Sequence, residues 1–599
     1  MNLTKTLKTI IKLLSPLKKS IFPLLLIVAF LLIDVYCNLT LPAYTADIVD
    51  VGIKNADFNY IINVGTMMMV MVLIGVLATI GLSYFSSKVS AAYGRDLRKI
   101  SYEKILKFSN FELNKISRAS LITRNTNDVY QIQIFLGLFF TTILFSPILG
   151  IGSIIKAMEL GTNLLWIIGV TFASVIIPFL ILFIKVVPYF KVMQELTDKI
   201  NQISREILIG IPVIKAFVRQ DYEEKRFEKT NEDFRLVNLK VFRIILIAIP
   251  AMTLLLNLMI VLILYFGAYD AIRGEILTGT IIAFIQYATQ IVMAFLMMAG
   301  FIILLPRILV SGRRVAEVIN TEISISDGPI DKIEDNPTIE FKNVTYIYPG
   351  SEKEILKNIN FKLEKGKTTA IIGGTGSGKS TILNLIPRLQ DVSDGEILIN
   401  DRNIKDYKLS VLRDRISYAP QKAILFEGTI RSNMQIGKED ASDEEIKRAL
   451  DMAEVDFIES LDDEVSQGAS NFSGGQKQRL QLARSVIAER DFYLFDDCFS
   501  ALDMNTEAKV KENLKSLKEN SSMLIISQRI STIMDADEII VLDEGEIIDK
   551  GSHDYLNENC NIYSEIVSSQ IEQSKEFLYE DSSNLIIDAD YIKKTTGGK

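Results

Sequence analysis

Through the first half of the chain, apolar residues do not recur at helical spacing among polar ones; they run without interruption. Six such stretches stand out, at about Ile21–Leu41, Ile61–Phe85, Ile134–Ile155, Leu164–Phe183, Ile244–Tyr269 and Ile281–Leu305. Each has about 20 residues or more, which at 1.5 Å per residue carries a helix across a hydrocarbon layer about 30 Å thick. Only the first contains a charged residue, Asp34. The polar segments between them differ in charge. Lys5, Lys8, Lys12, Lys18 and Lys19 precede the first run with no acid, whereas 43–59 carries Asp47, Asp50 and Asp57 against a single lysine. Lys88, Arg95, Arg98, Lys99, Lys104, Lys107, Lys115, Arg118 and Arg124 follow the second run, and the connection between the fourth and fifth is again basic. Basic segments stay on the cytoplasmic side, so the pattern predicts a multi-pass protein of the cell membrane with both termini and two loops of about 50 residues in the cytoplasm. The loops are rich in helix formers and would project roughly 25 Å from the bilayer. The lysine-rich start leads straight into the first run, which predicts a retained anchor and not a cleaved leader.

Past Arg313 and Arg314 the pattern changes to short apolar strands and amphipathic segments. The polar stretch NTEISISDGPIDKIEDNPT, with its Gly and two Pro residues, marks a linker. The expected domains are a six-helix membrane domain at 1–315, a linker at 316–336, an α/β domain at 337–572 and a flexible tail at 573–599. Composition adds little beyond support for the spans: 49% of the 599 residues are hydrophobic and the mean hydropathy is +0.25. Cys37, Cys498 and Cys560 are too scattered for a disulfide framework or a zinc site. The one histidine, His553, rules out a multi-histidine metal site and is expected in a surface turn. The net charge of −8 combines two unlike halves, and no nucleic-acid partner is expected.

The second half carries the chemistry. GGTGSGKS spans Gly373, Gly374, Thr375, Gly376, Ser377, Gly378, Lys379 and Ser380, followed by Thr381. It fits the phosphate-binding loop G-x-x-x-x-G-K-[ST], with an apolar strand before it (Ala370–Ile372) and an apolar helix after it. In such a loop backbone amides wrap the phosphates, and the helix N-terminus adds positive potential. Lys379 would reach the β- and γ-phosphates of ATP, and Ser380 would ligate Mg²⁺. Asp496 ends the apolar strand Phe492–Phe495, where a phosphate-loop ATPase places the acid that holds the same Mg²⁺.

NFSGGQKQRLQLAR, Asn471–Arg484, resembles the signature of ABC-transporter ATPases, and other matches follow in the order that family requires. The resemblance implies that Tyr348 stacks on adenine and that Gln421 senses Mg²⁺ and contacts the membrane domain. Ser500, Ala501, Leu502 and Asp503 match the loop that crosses the dimer interface. Ser120–Val129 and Arg205–Phe217 look like the cytoplasmic extensions of ABC exporters. The likeness spans about Pro16–Gln570 and implies an exporter half-transporter. In that family ATP lies between the phosphate loop of one ATPase domain and the signature of another, here Ser473, Gly474, Gly475 and Gln476, so a second half-transporter is required.

Two positions depart from the family pattern. Asp497 stands where the family has the glutamate that polarises water, and Gln528 stands at the switch histidine. Gln528 donates a hydrogen bond but carries no positive charge. The pair resembles the degenerate subunit of bacterial heterodimeric multidrug exporters. This implies a site that binds ATP and hydrolyses it poorly, while Ser473–Gln476 complete the partner's site. The competing expectations are a homodimer with two slow sites and an ATP-gated regulator or channel. The cargo class implied is amphipathic, drug-like or lipid-like. Candidates along its path are Asp34, an intramembrane carboxylate suited to a cationic substrate, and Gln286 and Gln290, which share a helical face. The two glutamines are equally suited to helix–helix hydrogen bonds. Met67, Met68, Met69, Met71, Met293, Met297 and Met298 suit varied ligands but are as readily lipid-facing.

Overall fold

The structure is a computed structural model describing residues 13, 15–160 and 164–580, with side chains left undescribed at some positions of three membrane helices and beyond Gln570. Two compact units emerge. One comprises Met1–Leu106 with Ala119–Thr321, the other Lys107–Arg118 with Glu322–Lys599.

The first unit is helical throughout. Its main helices are α1 (Ile21–Asp47), α2 (Phe58–Ile105), α4 (Val129–Leu138), α5 (Phe145–Glu159), α6 (Leu165–Ala216), α7 (Gln220–Ile272) and α8 (Thr278–Asn320). The short α3 (Asn110–Ile116) belongs to the second unit. Five segments are long and apolar enough to cross a membrane among the described residues: Ser15–Ile53, Phe58–Ile105, Arg118–Glu159, Pro250–Ile272 and Thr278–Met298. The fourth expected run, Leu164–Phe183, lies on α6, where many side chains are outside the described residues. At 52 and 53 residues, α6 and α7 are each about 78–80 Å long, far more than a bilayer needs. Such helices extend well past the hydrocarbon layer, as the basic loops predict.

Polar ties hold this bundle where hydrophobic burial alone does not discriminate one helix face from another. Ser153 Oγ on α5 donates to Gln290 Oε1 on α8 (2.8 Å), and Gln290 Nε2 donates to the Asn38 carbonyl on α1 (3.0 Å). Tyr287, one turn earlier, donates to the Leu39 carbonyl at 2.8 Å. At the other end of α1, the Asp50 carboxylate accepts the backbone N–H groups of Gly279 (2.6 Å) and Thr280 (3.0 Å), capping the otherwise orphaned N-terminus of α8. A side chain at residue 279 would place its Cβ 2.4 Å from the Ala46 carbonyl, so the close approach requires glycine.

The second unit is α/β. Strands β1 (Ile339–Ile347), β2 (Glu354–Leu363), β3 (Thr368–Ile372), β4 (Asp394–Ile399), β5 (Ile416–Ala419), β6 (Phe492–Asp496), β7 (Ser522–Ile526), β8 (Glu538–Asp543) and β9 (Glu546–Gly551) form two sheets. The first has the order β2-β1-β4, with the two-residue strand Arg402–Asn403 at its edge, and is antiparallel. The second runs β9-β8-β3-β7-β6-β5, parallel except for β9. Its central strands alternate between two cores. Ala370, Ile372, Tyr493, Phe495 and Ile525 face one, and Ile371, Phe492, Leu494, Leu524 and Ile526 face the other. Burial on both faces explains why these strands are apolar without interruption.

The polar segment after the membrane helices differs from a free tether. Helix α8 runs on to Asn320, past the boundary expected at 315. Residues 322–338 lie along the ATPase, with Ile333 buried, Ile330 bridging Tyr407 and the Arg388 guanidinium donating to the Ser326 carbonyl (3.3 Å). Glu112 on α3 is buried. Its Oε2 accepts from Ser109 N (2.6 Å) and Ser109 Oγ (2.5 Å), and its Oε1 accepts from Ser324 N (3.1 Å). Burial works to raise the pKa of this carboxyl, but the bonds from Ser109 and Ser324 prevail and hold it below its ordinary value.

His553 corrects one expectation. It opens helix α11 (His553–Asn559) and is buried, with Nδ1 2.8 Å from the Tyr563 hydroxyl on α12 (Asn561–Glu580). The turn before it is on the surface, but α12 folds back over the ring. The tail expected from 573 begins inside α12, and 581–599 lie outside the described residues. All three cysteines are buried and unpaired.

Candidate functional site

The parallel strands end together, and the register decides what meets there. Ile371 of β3 pairs with Ile526 of β7, which in turn pairs with Asp496 of β6. The residues that follow these strands, Gly373–Ser380, Asp496–Asp497 and Gln528, therefore converge at one edge of the sheet, the carboxyl edge where α/β folds bind ligands. Gly378, at φ +102°, caps helix α9 (Lys379–Leu385) in a left-handed conformation that a side chain would strain. Gly374 and Gly376 would carry a Cβ into open space, so the loop is an open cradle.

The Lys379 ammonium lies inside the cradle, donating to the carbonyls of Gly373 (2.9 Å) and Gly374 (2.7 Å). Burial pulls its pKa down, opposed by the charges of Asp496 and Asp497. Ser380 Oγ donates to Asp496 Oδ1 at 3.0 Å. Burial pushes the Asp496 carboxyl above its ordinary value, and Asp497 adds to the rise, while the Ser380 bond and Lys379 oppose it. Among the described residues no group of three His, Cys, Asp or Glu side chains is placed to hold a metal. Two oxygen donors side by side are instead what Mg²⁺ requires when it arrives with phosphate oxygens, and Ser380 and Asp496 fit it.

Tyr348 is 39% exposed, with its hydroxyl 3.2 Å from Thr381 Oγ1, which places the ring beside the start of α9. Gln421 follows β5 and points its Nε2 at Asp497 Oδ2, 3.4 Å away. Asp497 has a left-handed backbone (φ +48°), tolerated by Asp, and its N–H donates to the Ile526 carbonyl at 2.8 Å. The Gln528 side chain is exposed. Thr375 and Ser377 lie in the same loop, and Ser377 is buried against the lysine.

The signature forms a separate surface. Ser473 caps helix α10 (Gly474–Val486) in a reciprocal pair with Gln476, Ser473 N donating to Gln476 Oε1 (2.9 Å) and Gln476 N to Ser473 Oγ (3.3 Å). Gly474 and Gly475 lie in the first turn against Ala501. Sequence reasoning missed what holds these parts together. Gln478 is buried on α10, accepting from Ala501 N (2.9 Å) and donating to Ser500 Oγ (3.3 Å). Gln481, fully buried one turn on, donates to the Pro420 carbonyl (2.6 Å) and accepts from Ile424 N (3.2 Å). Arg529 donates to the carbonyls of Ser500 (2.6 Å) and Leu502 (3.3 Å), and Asp503 caps the helix that follows. The signature helix thus grips both the loop of Gln421 and the Ser500–Asp503 loop. The one sequence signal of this arrangement is Gln481, a polar residue between the apolar Leu480 and Leu482 and three positions after Gln478.

In the membrane unit, Asp34 is buried and accepts from Asn38 Nδ2 at 3.0 Å. Gln290 makes the helix–helix bonds described above, Gln286 is half-buried, and Met67, Met69, Met293, Met297 and Met298 are exposed.

A fused membrane helix bundle and phosphate-loop ATPase with a signature helix define a membrane-embedded nucleotide-driven translocase. Residues 24–295 match the family model described as "ABC transporter transmembrane region", and 356–500 match "ABC transporter". An uncharacterized ABC transporter ATP-binding protein of Mycobacterium tuberculosis (strain CDC 1551 / Oshkosh) is 35% identical over 573 residues, covering 93% of this chain and 98% of its own. Another, YfiB of Bacillus subtilis (strain 168), is 37% identical over 554 residues, covering 90% and 95%. The fold matches a bacterial Atm1-family ABC exporter solved with ATP bound, at a TM-score of 0.77 and 23% identity over 92% of this chain and 98% of that one. The chain belongs to the ABC transporter family. It is a multi-pass membrane protein of exporter fold whose cytoplasmic ATPase domain couples ATP hydrolysis to transport.

Proposed function

We propose that this chain is the degenerate-site subunit of a heterodimeric exporter for amphipathic, drug-like or lipid-like substrates. The observation that carries the reading is the meeting of Asp497 and Gln528 at one sheet edge beside an intact phosphate loop, while an unaltered signature lies on its own surface. An aspartate carboxylate is held back by one C–C bond relative to glutamate. A misplacement of about 1 Å costs roughly 10²-fold in rate. Lys379, Tyr348 and the cradle retain nucleotide. Mg²⁺, held by Ser380 and Asp496, would neutralise phosphate charge. Hydrolysis falls to the partner's site, which Ser473–Gln476 complete. A second subunit is also supported by the end of α6 and its turn into α7, where Leu208 and Ile209 on the helix and Phe217 and Val218 in the turn are 71–80% exposed. The substrate class is supported by a Staphylococcus aureus relative, 33% identical over 492 residues, whose name carries the words "multidrug export ATP-binding/permease protein". Asp34 remains the candidate for a cationic cargo, tested by export after Asp34→Asn.

The deciding experiment purifies the full chain alone and with a co-expressed half-transporter bearing Asp-Glu and a switch histidine. The chain alone should bind ATP and turn it over feebly, and turnover should appear with the partner. Brisk ATP consumption and transport by this chain by itself would establish a homodimer instead.

A further inference from the structure

Gln570 lies 42 residues beyond the switch position and outside every motif of the ATPase. Its side chain nonetheless bonds the backbone on either side of Arg529: Nε2 donates to the Gln528 carbonyl at 2.7 Å, and Oε1 accepts the Ile530 N–H at 3.0 Å. The amide offers a neutral donor and an acceptor side by side, as a backbone peptide does, so it substitutes for a missing strand partner across this short stretch. The loop is tethered on its other side by Arg529, through the Ser500 and Leu502 carbonyls. Gln528 itself is exposed, so no packing of its own side chain fixes where it points. Its direction is set by its backbone, and its backbone is held by Gln570 and by the neighbouring Arg529.

We propose that Gln570 is a positioning residue. From helix α12 it holds the Gln528 backbone so that the Gln528 amide faces the place a γ-phosphate occupies, and this makes the site discriminate ATP from ADP. The proposal rests on the reading of Gln528 as the switch residue. It goes beyond that reading in making the C-terminal helix part of nucleotide sensing. A neutral glutamine has no charge to draw it toward phosphate, unlike a protonated histidine, so an external brace has more to contribute here.

The test uses the full-length chain in detergent or nanodiscs and measures equilibrium affinities for ATP and ADP. Amide hydrogen exchange across 526–531 is measured alongside. Gln570→Ala should lower the ATP-to-ADP affinity ratio by about 3- to 10-fold, the effect of losing bonds of this kind, and should speed exchange at Ile530. Gln570→Glu keeps the acceptor for Ile530 and loses the donor to Gln528. It should keep the Ile530 amide slow while the ratio still falls. An unchanged ratio in both variants, with faster exchange or a lower melting temperature, would reduce Gln570 to a packing contact and overturn the proposal. If the unaltered chain binds ATP and ADP alike and Gln528→Ala changes nothing, the reading of Gln528 fails first, an outcome distinct from failure of the brace.

Discussion

The ATPase domain carries two nucleotide-facing surfaces that differ in how far they depart from the family pattern. The phosphate-loop face keeps Lys379 bonded within the cradle and Ser380 bonded to Asp496, yet carries Asp497 and Gln528 where the proposed reading places the groups that act on water and on the γ-phosphate. The signature face, Ser473–Gln476, is unaltered and pre-formed as a capped helix start. On the proposed reading, binding elements survive on both surfaces, and the departures are confined to Asp497 and Gln528. The contrast teaches that residues at the rim can change without loss of the fold, because the strand register that gathers the site is fixed by buried apolar residues and not by the polar groups at its rim.

The comparison breaks most sharply at the signature. Gly475→Glu would place a side chain where a Cβ already sits 2.9 Å from the Ala501 carbonyl. ATPase turnover of the assembled pair should fall about 10²-fold or more, the scale of losing transition-state donors. Undiminished turnover would remove the signature from the working site. Lys379→Ala acts on the other face. It should weaken ATP binding by the isolated chain about 10- to 100-fold, as expected for bonds to a charged group, measured with a fluorescent ATP analogue. Asp497→Glu combined with Gln528→His should raise turnover at the chain's own site by about 10-fold, by restoring reach. Asp497→Asn should change turnover of the pair by less than about 2-fold, and a strong loss there would show Asp497 to be a working base. The smallest effect is on stability. Because burial raises the Asp496 pKa, its protonated form is favoured in the folded state. The associated stability is complete below the unfolded value near 3.8 and is lost as pH rises through the folded value. Asp496→Asn should therefore raise the nucleotide-free melting temperature at pH 7, with the gain vanishing toward pH 4.

What could be read from the sequence follows from locality. The phosphate loop is contiguous, and Asp496 ends an apolar strand, so each declares itself without tertiary knowledge. The membrane runs are legible because an apolar helix needs no partner to be recognised. Gln570 and Gln528 are far apart in sequence, and the Asp50 cap on α8 joins residues 229 apart. Neither leaves a local pattern. His553 misleads for a related reason. Its flanks, Gly551 and Ser552, read as a surface turn, and only the return of α12 with Tyr563 covers the ring. Ile333 likewise sits in the stretch that its Gly and Pro residues mark as a linker, yet the strands it packs against come later in the chain.

The bare leucine, isoleucine, phenylalanine and valine at the end of α6 and its turn into α7 have a cellular corollary. Synthesised in excess of its counterpart, the polypeptide would present a sticky knob to the cytosol, a target for chaperones and for quality-control proteases. In the proposed heterodimer its abundance should then track that of the second half-transporter, so that stoichiometry is enforced by disposal of the surplus and not by matched expression.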